Sequence, residues 1–140
     1  MAAEYNWVLV LGAVLSLMAA TLHVVAIIMG PSGYRLFGAG ERFVRAAEKG
    51  KIHPPLITLG IALVLVSWAA YALSGAGIIR PLPLLRPTLV GVTLVYLVRG
   101  LIGPFFLAGT GRTIQFIAVS SAVCTLFGLV HLVGVIQIGA

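Results

Sequence analysis

Arg99 carries the most distinctive chemistry of this chain, because it lies in the middle of an apolar run from Thr88 to Ala108. A guanidinium is always protonated in a protein, and placing it at the centre of a bilayer costs at least ~3 kcal/mol on insertion scales. The acidic side chains are Glu4, Glu41 and Glu48, and all three fall outside the apolar runs. Arg99 is therefore a candidate functional residue that meets a bound anion or an anionic lipid headgroup. The alternatives are a structural arginine that bonds carbonyls and hydroxyls, and an ion pair with Glu41 or with a partner subunit.

The residues around Arg99 predict a polar pocket. Tyr96 stands one helical turn before it, with a phenolic hydroxyl that can line the same space. Pro104 lacks a backbone N–H, so a helix through this run would be kinked and the carbonyl of Gly100 would be freed. His23 of the first apolar run lies at a similar depth, ~9 Å from the inner boundary against ~14 Å for Arg99 at 1.5 Å per residue.

Two further residues are candidates for this pocket from the neighbouring loop. Glu41 follows the flexible stretch 38–40 and could tuck under the helices to pair with Arg99, or it could lie on a helix at the leaflet surface. His53 begins the second apolar run just before two prolines. It is expected to be either an interfacial cap or, together with Glu41 and His23, an acid–base group. The predicted ligand-binding residues are thus Arg99, Tyr96, His23, Glu41 and His53.

Metal and cofactor chemistry is not expected. A bis-histidine haem needs two imidazoles at matching depth, whereas His23 and His131 differ by ~15 Å along their helices. The sequence has no histidine and carboxylate spacing typical of a metal centre. A single cysteine, Cys124, excludes chemistry that needs a dithiol pair and is interpreted as a packing residue.

Composition and run length place these residues in a membrane protein. The chain has 140 residues, of which 61% are hydrophobic and 9% charged, whereas soluble domains carry about 25% charged residues. A bilayer crossing needs ~20 mostly apolar residues, and four runs qualify: Trp7–Met29, Ile52–Leu73, Thr88–Ala108 and Ile114–Ile138. Together they use up most of residues 1–140, so we predict a single transmembrane domain.

The connections predict how the four runs are arranged. Short turns favour antiparallel neighbours, so an all-α, up-down-up-down four-helix bundle is expected. Six basic residues fall in 30–51 and 109–113, against two, Arg80 and Arg86, in 74–87. Because basic loops stay cytoplasmic, we expect both termini outside, in a bacterial inner (plasma) membrane. The net charge of +6 is then explained by topology and contact with anionic lipid, and nucleic acid is not an expected partner.

The first cytoplasmic loop carries the other predicted element. Residues 41–49 favour a short amphipathic helix, with Phe43, Ala46 and Ala47 on one face and Gly50 as its stop. Before it, Gly30, Pro31, Ser32 and Gly33 predict a turn that ends the first span.

Three functions fit these residues. The first is binding, with or without transport, of a small amphipathic or lipid-like anion in an intramembrane pocket centred on Arg99. The second is a membrane-embedded lipid-modifying enzyme that uses His23, His53 and Glu41, an activity that the residues favour less. The third is an accessory or structural subunit, in which Arg99 meets an acidic residue of a larger complex; a homodimer is also compatible with the chain. Membrane lipids are expected contacts in every case.

Overall fold

The computed structural model describes residues 4–139, and these residues form helices joined by short connections, without a strand. Residues 1–3 and 140 of the predicted domain lie outside the described residues. The helices are α1 (Trp7–Met29), α2 (Pro31–Leu36), α3 (Glu41–Glu48), α4 (His53–Gly75), α5 (Leu85–Leu101), α6 (Gly103–Leu107) and α7 (Ile114–Gly139). Of these, α1, α4 and α7 are long and apolar enough to cross a membrane. They indicate an integral membrane protein.

The third apolar run does not form the single helix expected from 88 to 108. Helix α5 starts earlier, at Leu85, and ends at Leu101 after 17 residues. A turn at Ile102 separates it from α6, a helix of five residues. The physical reason is Pro104 in the first turn of α6, which cannot donate a backbone hydrogen bond to the preceding turn. The predicted kink is thus a full break.

The connection between α1 and α4 is more ordered than predicted. A turn was expected over residues 30–33. Instead, Gly30 alone forms the turn, with φ 68°, and helix α2 already begins at Pro31. The predicted helix after Gly40 is confirmed as α3. Its buried Val44 packs with Tyr34 of α2 and with Ala26 of α1, so both short helices dock on the end of α1.

Contacts between α1, α4, α5 and α7 divide the molecule into two halves. Helix α1 begins beside the end of α4, where the Asn6 amide N–H donates to the carbonyl of Ala76 at 3.1 Å. It also begins beside the end of α7, where Asn6 Nδ2 donates to the carbonyl of Gly134 at 2.9 Å. We call this region, residues 6–16, 65–76, 85–93 and 127–139, the closed half. The open half comprises residues 19–29, 53–64, 95–107 and 114–124.

Small residues allow the helices of the closed half to approach closely. A Cβ atom on Gly134 would lie 2.5 Å from the Leu9 side chain, and one on Gly75 would lie 2.7 Å from Leu89. Both leucines are fully buried. Small residues at helix contacts are the usual means of close packing in a bilayer, where lipid is as apolar as leucine. The closed half therefore fixes the helix ends from which the open half extends.

Candidate functional site

Arg99 lies in the last turn of α5, next to the break, rather than within an unbroken helix. Its Nη2 donates to Ser120 Oγ of α7 at 3.2 Å. Its Nη1 is buried and has no hydrogen-bond partner among residues 4–139. The carbonyl end of α5 attracts a cation through the helix dipole, which offsets part of the cost of burying the guanidinium. The remaining donor capacity is unused.

Two buried glycines that follow this arginine, Gly100 and Gly103, set its position. A Cβ atom on Gly100 would lie 2.5 Å from the backbone nitrogen of Thr125, so glycine lets α5 touch α7. A Cβ atom on Gly103 would lie 2.8 Å from Arg99 Nη1. Any larger residue at 103 would thus displace the guanidinium from the break between α5 and α6.

Arg99 also lines a cavity of about 910 Å³ that lies mainly in the open half and reaches Leu65, Trp68 and Phe127 at the edge of the closed half. Pockets that hold small molecules have volumes of ~300–1,000 Å³ and are mostly apolar. The walls come from α1, α2, α4, α5 and α7, and they include Leu22, Ile61, Leu65, Val95, Val123 and Phe127. A second hollow of about 390 Å³ lies along α5 and α6 and also includes Arg99 and Gly103. Arg99 is therefore part of the wall of both hollows.

The structure brings two predicted residues, His23 and Tyr96, to the same cavity as Arg99. His23 Nδ1 lies 2.7 Å from the carbonyl oxygen of Ala19. A carbonyl can only accept, so Nδ1 carries the proton, and Nε2 of the neutral ring is an acceptor. The Tyr96 hydroxyl lies 2.8 Å from Ser16 Oγ. Tyr96 thus contributes its ring to the wall, while its hydroxyl is engaged away from Arg99.

The other two predicted residues, Glu41 and His53, do not line the cavity and occupy the surface positions that the sequence left open as the alternative to a place beside Arg99. Glu41 accepts a hydrogen bond from Arg45 Nε at 3.2 Å, one helical turn along α3, and its side chain is 56% exposed. Intrahelical pairing is available to Glu41 without desolvation, which explains why it stays at the surface. His53 is exposed at the start of α4 and its ring packs edge-on against Phe43 at 6.3 Å.

The loop that contains α2 and α3 closes one end of the cavity. Phe37 contributes to the wall, and Phe116 packs directly on Gly38. Arg112 Nε donates to the carbonyl of Gly38 and its Nη2 donates to that of Ala39, each at 3.0 Å. These two charge-assisted bonds attach the α2–α3 connection to the start of α7.

Sequence reasoning missed Ser120 as the partner of Arg99, and it underestimated His131. The polar residues of the fourth run include two adjacent serines, 120 and 121. Which of the two meets Arg99 depends on the register of α5 against α7, and this register brings Ser120 to the guanidinium. His131 is 0% exposed, with Nδ1 donating to the carbonyl of Phe127 at 2.8 Å and its ring against Tyr96. Its Nε2 lacks a partner within residues 4–139. Gly128 and Gly134, each three residues from His131, are the sequence signal of this burial.

Chemically, the cavity offers one permanent cation, the hydroxyl of Ser120, the thiol of Cys124 and the imidazole of His23 on apolar walls. Within residues 4–139, no three His, Cys, Asp or Glu side chains come together as ligands for a metal ion. Such an arrangement can bind an anion that carries an apolar group. No protein-family model, curated protein or solved structure matches this chain.

Proposed function

We propose that the protein is a membrane-embedded binder, with or without transport, of an amphipathic or lipid-like anion whose charged group meets Arg99 and whose apolar part occupies the cavity. One observation carries the proposal: a guanidinium with an unpaired, buried Nη1 lies in the wall of an apolar cavity of about 910 Å³. The other unpaired buried polar atoms, on Tyr34, Ser121 and His131, belong to groups without a permanent charge.

The proposal includes a membrane topology. Helices α1, α4 and α7 each cross the bilayer, and α5 followed by α6 provides the fourth crossing, which makes an up-down-up-down four-helix bundle. The contacts of α1 with the ends of α4 and α7 support antiparallel neighbours. The basic loops, residues 30–51 and 109–113, lie on the cytoplasmic side of a bacterial inner membrane, with both termini outside.

Charge compensation explains why an anion fits this position. Arginine cannot release its proton in a protein, so burial must be offset by hydrogen bonds and by opposite charge. One neutral hydroxyl and the end of a helix supply part of this compensation. An anionic group at Nη1 supplies the rest, and the apolar walls retain the tail.

The geometry gives less support to the two alternatives. A lipid-modifying enzyme would need His23, His53 and Glu41 within reach of one reacting group, and two of the three lie outside the cavity. A structural subunit would present Arg99 to a carboxylate of a partner helix. That function does not need a cavity beside the arginine, so we treat it as an outcome of the experiment below.

The experiment measures thermal unfolding of the purified protein in dodecyl maltoside during titration with dodecanoate, dodecyl phosphate or neutral dodecanol. We expect at least one anion to raise the unfolding temperature in a saturable manner, while dodecanol has a smaller effect. Arg99→Gln should weaken that anion about 10- to 100-fold, since a hydrogen bond to a charged group contributes ~1.5–3 kcal/mol.

The control is Arg45→Gln, which removes an exposed arginine of α3 and should leave the titration unchanged. Without added anion, Arg99→Gln should unfold at the same temperature as the wild type or at a higher one, because it removes an incompletely paired buried charge. Equal titration curves for the wild type and Arg99→Gln would refute the proposal. A carboxylate-bearing protein that co-purifies only when Arg99 is present would favour the subunit function instead.

A further inference from the structure

We infer, on the basis of that proposed function, that the ligand carries a single negative charge and is a long-chain carboxylate rather than a dianionic phosphate monoester. The choice of a carboxylate follows from the number of charges in the cavity, from the hydrogen-bond donors that Arg99 leaves free and from the hydrogen bond that engages His23 Nδ1.

The cavity compensates one negative charge. Among the lining residues that the structure describes, Arg99 is the sole arginine or lysine. The nearby basic residue Arg112 is already engaged with the carbonyls of Gly38 and Ala39. A second negative charge would therefore enter an apolar site without a counter-charge, which is strongly unfavourable. A carboxylate matches the site in charge.

The free donors of Arg99 also match a carboxylate in shape. Nη1 keeps both of its N–H donors, and Nη2 keeps one after bonding to Ser120 Oγ. A planar guanidinium and a planar carboxylate can form two parallel hydrogen bonds. The third oxygen of a phosphate group would need a donor from elsewhere in the wall.

His23 makes that third donor difficult to find. Nδ1 is already engaged with the carbonyl of Ala19, so this nitrogen cannot donate to a ligand. The imidazole offers only Nε2, and Nε2 donates only when the ring carries a second proton.

The cavity also has the length for an alkyl tail. Its wall on α4 runs from Ile57 to Trp68, a rise of ~16 Å at 1.5 Å per residue. A methylene that enters the cavity leaves a micelle or bilayer that is also apolar, so the length of the tail should change the affinity only weakly.

The test compares the dissociation constants of dodecanoate and dodecyl phosphate for the wild type in dodecyl maltoside at pH 8, where the phosphate is a dianion because its second pKa is about 6. We expect dodecanoate to bind at least about tenfold more tightly. His23→Lys adds a second cation to the wall and should reduce or reverse the preference.

The outcomes separate this inference from the proposed function. If dodecyl phosphate binds as tightly as dodecanoate or more tightly, and Arg99→Gln abolishes that binding, the inference is wrong and the proposed function stands. If neither anion depends on Arg99, the proposed function itself fails. A folded His23→Lys variant with an unchanged preference would also contradict the inference.

Discussion

The closed and open halves are built from the same helices but use polar residues in opposite ways. In the closed half, small residues bring the helices into contact, and at its boundary with the open half the buried hydroxyls of Ser16 and Tyr96 pair with each other. In the open half, the helices surround a cavity, and Arg99 leaves a charged donor unpaired beside it. A buried hydroxyl that is paired within the protein supports the fold. An unpaired donor of a permanently charged guanidinium beside a cavity supports the proposed ligand, whereas the unpaired Nε2 of His131 in the closed half belongs to a group without a permanent charge.

The largest expected difference between the halves concerns glycine. Gly134→Ala in the closed half places a methyl group 2.5 Å from the buried Leu9 side chain and should lower the free energy of unfolding by ~1–3 kcal/mol through overpacking. Gly60→Ala in the open half meets nothing within 4 Å. It should be neutral or stabilise by about 0.5–1 kcal/mol, because alanine favours the helix. Equilibrium unfolding in mixed micelles measures both, and equal effects would remove the distinction between the halves.

The next effect concerns the pairing of Ser16 with Tyr96. Ser16→Ala leaves the Tyr96 hydroxyl buried without a partner and should cost ~1–3 kcal/mol of unfolding free energy. Tyr96→Phe in addition should restore most of that loss, since both polar groups are then gone. Tyr96→Phe by itself should change the affinity for dodecanoate less than Arg99→Gln does. A loss of affinity as large as that of Arg99→Gln would show that the Tyr96 hydroxyl contacts the ligand.

A smaller effect is expected at the closure of the cavity. Arg112→Gln removes two hydrogen bonds to the carbonyls of Gly38 and Ala39 and should cost about 0.5–1.5 kcal/mol, since part of this site is exposed. Limited trypsin digestion should then cut faster at Arg35 of α2 or Arg42 of α3, which flank the α2–α3 connection. An unchanged cleavage rate would mean that the connection is held by its apolar contacts with α1.

The smallest effect is expected at the exposed ion pairs. Glu41→Gln removes the pair with Arg45, whose side chain is 69% exposed, and should change the free energy of unfolding by no more than ~0.5 kcal/mol. It should leave anion binding unchanged, because Glu41 lies on α3 outside the cavity. A gain in anion affinity would mean instead that Glu41 competes with the ligand for Arg99.

The sequence predicts the helices well where apolar runs are long and uninterrupted, as for α1, α4 and α7. It predicts a bend near Pro104 but not the full break at Ile102, because the cost of a proline depends on whether a neighbouring helix supports the kink. It groups Arg99, His23 and Tyr96, which the structure places on one cavity, since polar residues in apolar runs are conspicuous. It does not identify Ser120, and it leaves open whether Glu41 and His53 lie beside Arg99 or at the surface, because loop paths and helix rotations are set by packing between distant segments.

The most direct test of an anion on Arg99 is native mass spectrometry of the protein released from membranes in a mild detergent. We predict that the wild type and Arg45→Gln retain a small amphiphilic anion, and that Arg99→Gln loses it while keeping its folded charge-state distribution. Retention of the same adduct by Arg99→Gln would contradict the account. A wild-type protein that carries no adduct and gains none when dodecanoate or dodecyl phosphate is added would also contradict it.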